Sequence, residues 1–441
     1  MKNQINQFVN KVELIDKFLF SFIAFIPLSL AISIFFADLL ASISSLILIY
    51  IYFTKKNFLY FKSIRKELLF FIFFYMIIIV SLFASNYKSD AFLPSFFYFR
   101  YFFLALCIFY ILKKYEFIYH LFYTSIFISI GIIFFDSFFQ YFFGFNIFGY
   151  EKINFNENYQ LSYLTSFFND EKKLGSYMVR FLPLILSLIY FQKNKIPLKF
   201  ELMIIFGIGS IVFFASERTA LFLLFVIYIF YFLISNKKTY FLIIGLVVFT
   251  FLFSFNNHLK TKYINFTLKQ IGISSYLNKD SDNDILEKKI VRYYSEEHEN
   301  LTFTGIEIFK QNYLFGSGIK SFYLICNDLK KKNIIKLNKR KNVMTCSTHP
   351  HNTYIQILSE IGIFGFFLIV FVFLSIFIKN IFMLFRKVKS NSDRSYFFIN
   401  LSIIINLMPF IPSGSFFNNW ICLMMFFSLG FWLYIKDKLN T

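Results

Sequence analysis

Long apolar runs separated by short polar turns dominate this sequence, and that alternation limits the chain to few architectures. A helix that crosses a membrane needs about 20 apolar residues, within a range of about 17–25. Of the 441 residues, 57% are hydrophobic, and apolar runs of about this length recur along the chain. In lipid, backbone polar groups must be hydrogen-bonded within a helix or a closed barrel. We therefore expect an all-α polytopic membrane protein.

The length rule predicts twelve spans, and the turns around Asp38 and Arg218 are very short. The spans lie near 17–37, 39–54, 67–85, 93–112, 117–138, 174–192, 200–215, 219–235, 239–255, 361–383, 396–412 and 418–435. One loop near 139–173 and a larger loop at 256–352 interrupt them. We therefore expect three parts, namely 1–255, 256–352 and 353–441.

The positive charges predict how these spans are oriented, because lysine and arginine concentrate in the short cytoplasmic loops of membrane proteins. Alternate short loops and the C-terminal end carry these cations: Lys55, Lys56, Lys62, Arg65, Lys66, Lys113, Lys114, Lys193, Lys195, Lys199, Lys237, Lys238, Arg386, Lys387, Lys389, Arg394, Lys436 and Lys438. Residues 1–15 have charges of both signs and no small-residue cleavage site, which indicates an uncleaved tail. Both termini are then cytoplasmic and both long loops are outward, which in a Gram-negative inner membrane means periplasmic.

The net charge of +20 does not predict a nucleic-acid partner. The short-loop charges alternate with spans and form no separate basic domain. The expected partner of most of this surface is the lipid bilayer.

The most chemically informative stretch lies directly ahead of the tenth predicted span. His349 and His351 flank Pro350, which fixes its own φ and disfavours helix at the residue before it. Asn352 or Thr353 can cap the helix that follows. The pattern predicts a rigid turn that holds two imidazoles at the mouth of a membrane helix. The alternative is a histidine that only completes a helix cap.

His351 and Asn352, followed by nine residues and then Gly362-x-x-Gly365, resemble the signature of the O-antigen ligase family. These enzymes transfer a glycan from a polyprenyl pyrophosphate to a lipid A core sugar. The resemblance extends over roughly 95–365. It implies an undecaprenyl-pyrophosphate donor, a lipid A core acceptor and a metal-independent, inverting reaction. His351 would act as the general base, since imidazole titrates near neutral pH.

Three arginines are candidates for binding the pyrophosphate, because a guanidinium can donate two parallel hydrogen bonds to phosphate oxygens. Arg218 lies at an outward turn, where the resembled family also has an arginine; an ion pair with Glu217 or snorkelling is the alternative. Arg100 lies near the outer end of the fourth predicted span and can equally snorkel. Arg292, in the large loop, is the third candidate.

Other candidate substrate contacts lie in the two outward loops. Asp170 and Glu171 can bind a sugar hydroxyl or cap the sixth predicted span. His298 precedes Gly316-x-Gly318, a segment like one in the resembled family, and these glycines would permit a turn that brings N–H groups near a ligand.

Cys326 and Cys346 are the only cysteines outside the predicted spans, and they lie in the loop assigned to the oxidising periplasm. We expect a disulfide between them, with two free thiols as the alternative. Paired C-x₂-C spacing is lacking, so the sequence predicts no metal site and no cofactor.

Two groups of alternative functions remain. An O-antigen polymerase or a protein O-oligosaccharyltransferase would use the same scaffold and donor with another acceptor. A polyprenyl-glycan flippase or other transporter belongs to a different class and would need charges along a path through the midplane. The informative charges here cluster at the outward ends of the spans, which favours the transferase.

Overall fold

A computed structural model describes residues 2–55, 58–156, 161–192, 197–235, 237–254, 263, 295–331, 346–386, 388 and 390–440. These residues are almost entirely helical. The helices of the first half are α1 (Lys2–Lys11), α2 (Leu14–Ile32), α3 (Ile34–Lys55), α4 (Arg65–Ala84), α5 (Lys88–Phe96), α6 (Phe99–Lys114), α7 (Ile118–Phe143) and α8 (Leu174–Phe191). Those of the second half are α9 (Leu198–Phe214), α10 (Arg218–Ile234), α11 (Lys238–Ser254), α12 (Glu296–Gln311), α13 (Phe322–Lys331), α14 (Thr353–Phe385), α15 (Asn391–Asn406) and α16 (Asn419–Asn440).

Short elements complete the described chain. Two strands in the first outward loop, β1 (Ile153–Asn156) and β2 (Leu161–Tyr163), pair in antiparallel fashion. Two 3₁₀ helices cover Phe58–Ile64 and Ser166–Phe168.

Among the described residues, eight helical segments are long and apolar enough to cross a membrane. A helix lies at or near each of the twelve predicted places, but the predicted turn at Asp38 is wrong, because α2 ends at Ile32 and Asp38 lies within α3. In addition, α9, α10 and α11 have only 17 residues and α15 has 16. By helix length and composition, the chain is a candidate multi-pass membrane protein. These two criteria support eight spans among the described residues and not the predicted twelve. The predicted span at 396–412 is too long because α15 ends at Asn406, three residues before Pro409. Proline lacks the N–H that helix continuation requires.

Four helices, α6, α8, α15 and α16, form the core of the bundle. α8 packs against α15, α6 packs against α16, and α15 packs against α16. In α8 and α16, 83% of the span is buried inside the protein, whereas in α14 only 28% is. A helix that is apolar on all sides and buried on only one presents its other face to lipid. The peripheral α14 therefore has one side for the bilayer and one for the core.

The large loop packs against α14 through two pairs of glycines, Gly316-x-Gly318 in the loop and Gly362-x-x-Gly365 in the helix. Gly362 has φ 75° and ψ −170°, so the backbone of α14 is kinked there. The carbonyl oxygen of Glu360 is free to accept a hydrogen bond from Gly318 N–H at 2.8 Å. A Cβ on Gly316 would lie 2.4 Å from the backbone carbon of Glu360, so only glycine permits this approach. The Gly318 N–H was expected to lie near a ligand, but in the structure it donates its hydrogen bond to the carbonyl oxygen of Glu360.

Candidate functional site

The turn that bears His349 and His351 is built from local backbone constraints. Asn352 caps α14, and its side-chain oxygen accepts hydrogen bonds from the N–H groups of Tyr354 at 3.0 Å and Ile355 at 3.1 Å. Just before the cap, His351 has a φ of 50°, which is uncommon for a residue with a side chain. The structure therefore shows the helix cap predicted for Asn352, and this cap fixes the residue at which α14 begins, directly after the two histidines.

The segment between α15 and α16 holds this turn from the other side. Ser413 N–H donates to the carbonyl oxygen of His351 at 2.8 Å, and Nε2 of His349 donates to the carbonyl oxygen of Ser413 at 3.3 Å. Ser413 Oγ lies 2.9 Å from Thr353 Oγ1. Ser413, about 60 positions away in sequence, thus contacts three alternate residues of the histidine turn, namely His349, His351 and Thr353.

Further contacts extend this support one turn down α14. The amide of Gln356 donates to Ser415 Oγ at 2.9 Å and accepts from Phe416 N–H at 2.7 Å. In the sequence, this segment is a short stretch between two predicted spans that contains no lysine or arginine. Its serines carry no motif, so their packing could not be read from composition.

The structure brings three predicted histidines together. The ring centroids of His349 and His351 are 4.1 Å apart, and that of His298 on α12 is 5.5 Å from His351. His298 is held near the start of α12, where its Nδ1 lies 2.6 Å from Ser295 Oγ. Residues separated by more than fifty positions therefore form one imidazole cluster.

This environment favours neutral imidazoles. Burial, with a smaller contribution from His351, lowers the pKa of His349 to about 4. Burial also lowers the pKa of His351, although the charge of Glu297 and the contact with Ser413 oppose the shift. The pKa of His298 is lowered by burial, by His351 and by Arg218. A histidine with a lowered pKa is unprotonated at neutral pH and can accept a proton.

The short turn between α9 and α10 lies beside this cluster. Glu217 accepts hydrogen bonds from the N–H groups of Gly175 at 2.7 Å and Ser176 at 3.1 Å, and so caps the N-terminus of α8. Arg218 is the exposed first residue of α10, and its positive charge acts on His298. Arg218 is therefore positioned by an anchored turn on the side of the histidines.

A pocket of about 290 Å³ opens where these elements meet. Its lining combines His351 with side chains from the start of α8, the turn at 217–219 and the segment before α16. The lining residues are Lys172, Lys173, Ser176, Arg180, Glu217, Thr219, His351, Pro412, Ser413, Gly414, Ser415, Asn418, Trp420 and Ile421. The pocket thus joins one imidazole to three cations and several hydroxyl groups.

Arg180 is a pocket residue that the sequence analysis missed. It lies on α8 with only 5% of its surface exposed, and its guanidinium donates to Ser176 Oγ. Within the described part of the chain, its Nε has no hydrogen-bond partner. A charged residue inside an apolar span is costly and is often functional, and that signal was present in the sequence.

Other predicted residues lie elsewhere or have other contacts. Arg100 pairs with Asp38, with Nε 2.9 Å from Oδ1, and does not line the pocket. Asp170 and Glu171 are exposed just outside the lining, and Glu171 pairs with Lys173. Arg292 lies outside the described residues.

Cys326 on α13 and Cys346 are bonded to each other, with their Cα atoms 5.7 Å apart. Cys346 is three residues before His349, so the bond ties the histidine turn to α13. No group of three or more His, Cys, Asp or Glu side chains in the described ranges is arranged to hold a metal ion.

Comparison with known proteins gives one family. Residues 202–370 match a family model described as O-antigen ligase. The match begins in α9 and ends in α14, so it includes the 217–219 turn and the histidine turn but neither Arg180 nor the segment before α16. A search of curated proteins finds no significant match.

Proposed function

Residues 202–370 match the O-antigen ligase family model, and from this we propose that the chain is a member of that family and transfers a glycan from undecaprenyl pyrophosphate to a lipid A core sugar. The reaction would take place at the periplasmic face of the inner membrane of a Gram-negative cell. The observation that carries the proposal is the pocket in which His351 lies with Arg180, Lys172 and Lys173. An imidazole base and a group of cations are what a hydroxyl attack with a pyrophosphate leaving group requires.

In the proposed mechanism, His351 accepts the proton of the acceptor hydroxyl. Its lowered pKa keeps the imidazole unprotonated at neutral pH. The hydroxyl oxygen attacks the anomeric carbon from the side opposite the pyrophosphate, so the configuration inverts. Proton removal by a positioned base contributes about 10²–10⁴-fold to rates of this kind.

The leaving pyrophosphate gains negative charge as the glycosidic bond breaks, and cationic side chains would stabilise it. We assign this task to Arg218, which is exposed beside the histidine cluster, and to the buried Arg180. Lys172 and Lys173 would attract the anion at the rim. Because these cations can neutralise the charge, the proposed reaction needs no metal ion.

The remaining predicted residues keep roles at the edge of the proposed site. His298 and His349 would orient His351 or contact the sugar, and Asn352 would position the turn. Asp170 and Glu171, exposed next to the lysine rim, would contact sugar hydroxyls. Arg100 and Arg292 remain further candidates for phosphate contacts.

The test of the base is transfer of a lipid-linked glycan by purified protein in proteoliposomes. His351→Ala should lower the rate by about 10²–10⁴-fold while donor binding is retained. His120→Ala, which removes an imidazole at the start of α7, is the matched control and should transfer normally. Transfer by His351→Ala at the wild-type rate would contradict the role and direct attention to His298 or His349.

The acceptor requires a separate experiment in cells. Lipopolysaccharide extracted from a deletion strain should lack its polymer ladder, while lipid-linked polymer accumulates. Lipopolysaccharide capped with a single repeat would instead indicate a polymerase. An intact ladder with an unglycosylated protein would indicate a protein O-oligosaccharyltransferase.

A further inference from the structure

A large apolar groove lies on the outside of the helix bundle, between α3, α4 and α6. Its volume is about 870 Å³. The α4 and α6 residues that line it are Leu68, Phe71, Ile72, Tyr75, Phe99, Phe102, Phe103 and Leu106. Both sets follow the spacing i, i+3, i+4 and i+7, which places each set on one face of its helix. Two continuous apolar stripes therefore run along the groove.

This groove is separate from the candidate active site. None of its lining residues lines the pocket that contains His351. The family match at 202–370 also lies outside it. The groove therefore has no role in the proposed reaction.

One end of the groove is cationic. Lys62 and Arg65 line it there, and both side chains are exposed. Nearby cations are paired with acids: Lys436 with Glu67, Lys113 with Asp437 and Lys114 with Asp16. In the part of the chain that the structure describes, Lys62 and Arg65 form no ion pair. Two cations at the end of an apolar channel are therefore available to an external anion.

The length of the groove fits one lipid leaflet. Arg65 and Tyr75 are ten residues apart on α4, which at 1.5 Å per residue corresponds to about 15 Å. Half of the hydrocarbon core of a bilayer is also about 15 Å. A molecule with an acyl chain and an anionic head group matches both the apolar stripes and the cationic end.

We propose that this groove binds an anionic phospholipid of the leaflet on the side of Lys62 and Arg65, which the charge distribution predicts to be cytoplasmic. Its phosphate contacts Lys62 and Arg65, and one acyl chain lies along the stripes of α4 and α6. Basic pockets between helices on the cytoplasmic side suit anionic head groups in this way. A polyprenyl donor fits less well, because its pyrophosphate must reach His351 at the opposite, outward end.

Native mass spectrometry of the full-length protein, exchanged into mixed micelles with phosphatidylglycerol and phosphatidylcholine, tests the proposal. The wild type should retain phosphatidylglycerol preferentially. The double variant Lys62→Gln/Arg65→Gln should lose about 30-fold in that preference, as expected when two cations near an anionic lipid are removed. The single variant Arg65→Gln should lose part of the preference, and Lys66→Gln is its matched control, since it removes an adjacent charge that does not line the groove.

A second variant checks the apolar part. Leu106→Trp fills part of the groove with a larger side chain and should reduce retention of the lipid even though both cations remain. Equal retention of the two lipids, or unchanged preference in the double variant, would overturn the proposal. Preferential retention of undecaprenyl phosphate over phosphatidylglycerol would also overturn it and make the groove a donor path.

Discussion

Arg180 has an environment that a ligand would explain better than the fold does. Its side chain is buried on α8 near the carboxylate of Glu217, whose charge offsets part of the cost of burying the guanidinium, while its Nε has no hydrogen-bond partner among the described residues. A buried charge is costly unless it is compensated by a partner. Because Arg180 lines the same pocket as His351, an anionic substrate group is the natural partner.

The first prediction separates a binding role for Arg180 from a structural one. Arg180→Gln should weaken donor binding and transfer, because the buried cation is lost. Its melting temperature should stay equal to that of the wild type or rise, because a charge with an incomplete set of partners no longer has to be buried. Transfer in proteoliposomes and thermal unfolding in detergent are the two measurements. A lower melting temperature with normal donor binding would make Arg180 a structural residue.

The second prediction concerns pH and His349. Its pKa is about 4 in the folded protein and about 6.5 in an unfolded chain. Between these values the unfolded state binds more protons, so the free energy of unfolding should fall as pH falls from about 6.5 to about 4. His349→Gln should flatten this fall in melting temperature. His120→Gln is the control, and an equal slope in wild type and His349→Gln would contradict the assignment.

At the scale of elements, α14 joins the turn that bears His349 and His351 to the helix bundle. Its first turn is capped by Asn352, its second is bonded to the segment before α16 through Gln356, and its kink receives the large loop at Gly318. The helix contacts α4, α12 and α15 along its length. The position of His351 therefore depends on contacts distributed over several elements.

The third prediction tests the kink. A Cβ on Gly362 would lie 2.3 Å from the carbonyl oxygen of Leu314, and the residue has a φ of 75°. Gly362→Ala should therefore lower the melting temperature and reduce transfer, because the loop has to move away from α14. Gly131→Ala on α7 is the control, since nothing lies within 4 Å of the new methyl group. That change should leave stability unchanged or raise it slightly, because alanine favours helix by about 1 kcal/mol over glycine. Equal melting temperatures for the two variants would contradict the docking function of Gly362.

At the scale of the whole molecule, the sequence predicts where helices lie along the chain better than it predicts which residues contact each other in the folded protein. Apolar length places a helix at each predicted span, because the requirement for internal hydrogen bonds is local. The contact of Ser413 with His349 spans 64 positions and depends on tertiary packing that no local pattern encodes. Arg180 is visible in the sequence as a charge inside an apolar span, but the pocket that it lines depends on the same kind of tertiary packing.

The fourth prediction concerns the disulfide, which links the orientation of the chain to its stability. Cys326 and Cys346 are 20 residues apart in sequence. Closing a loop of this length removes unfolded-chain entropy worth about 3 kcal/mol, although strain in the folded state can reduce the gain. The variant Cys326→Ser/Cys346→Ser should therefore unfold at a lower temperature. Because the bond also tethers the turn before His349, this variant should transfer glycan more slowly as well.

Maleimide labelling of cells tests the bond and its side of the membrane together. The protein should first carry Cys107→Ala and Cys422→Ala, because these two buried free thiols would label after denaturation. Denatured cells should then show no labelling until reductant is added. Treating intact cells with a reductant that does not cross the inner membrane should expose both thiols only if the loop is outward, where an oxidising compartment maintains disulfides. Labelling without reductant would exclude the bond. Labelling that requires a membrane-permeant reductant would retain the bond and reverse the predicted orientation, and with it the periplasmic location of His351.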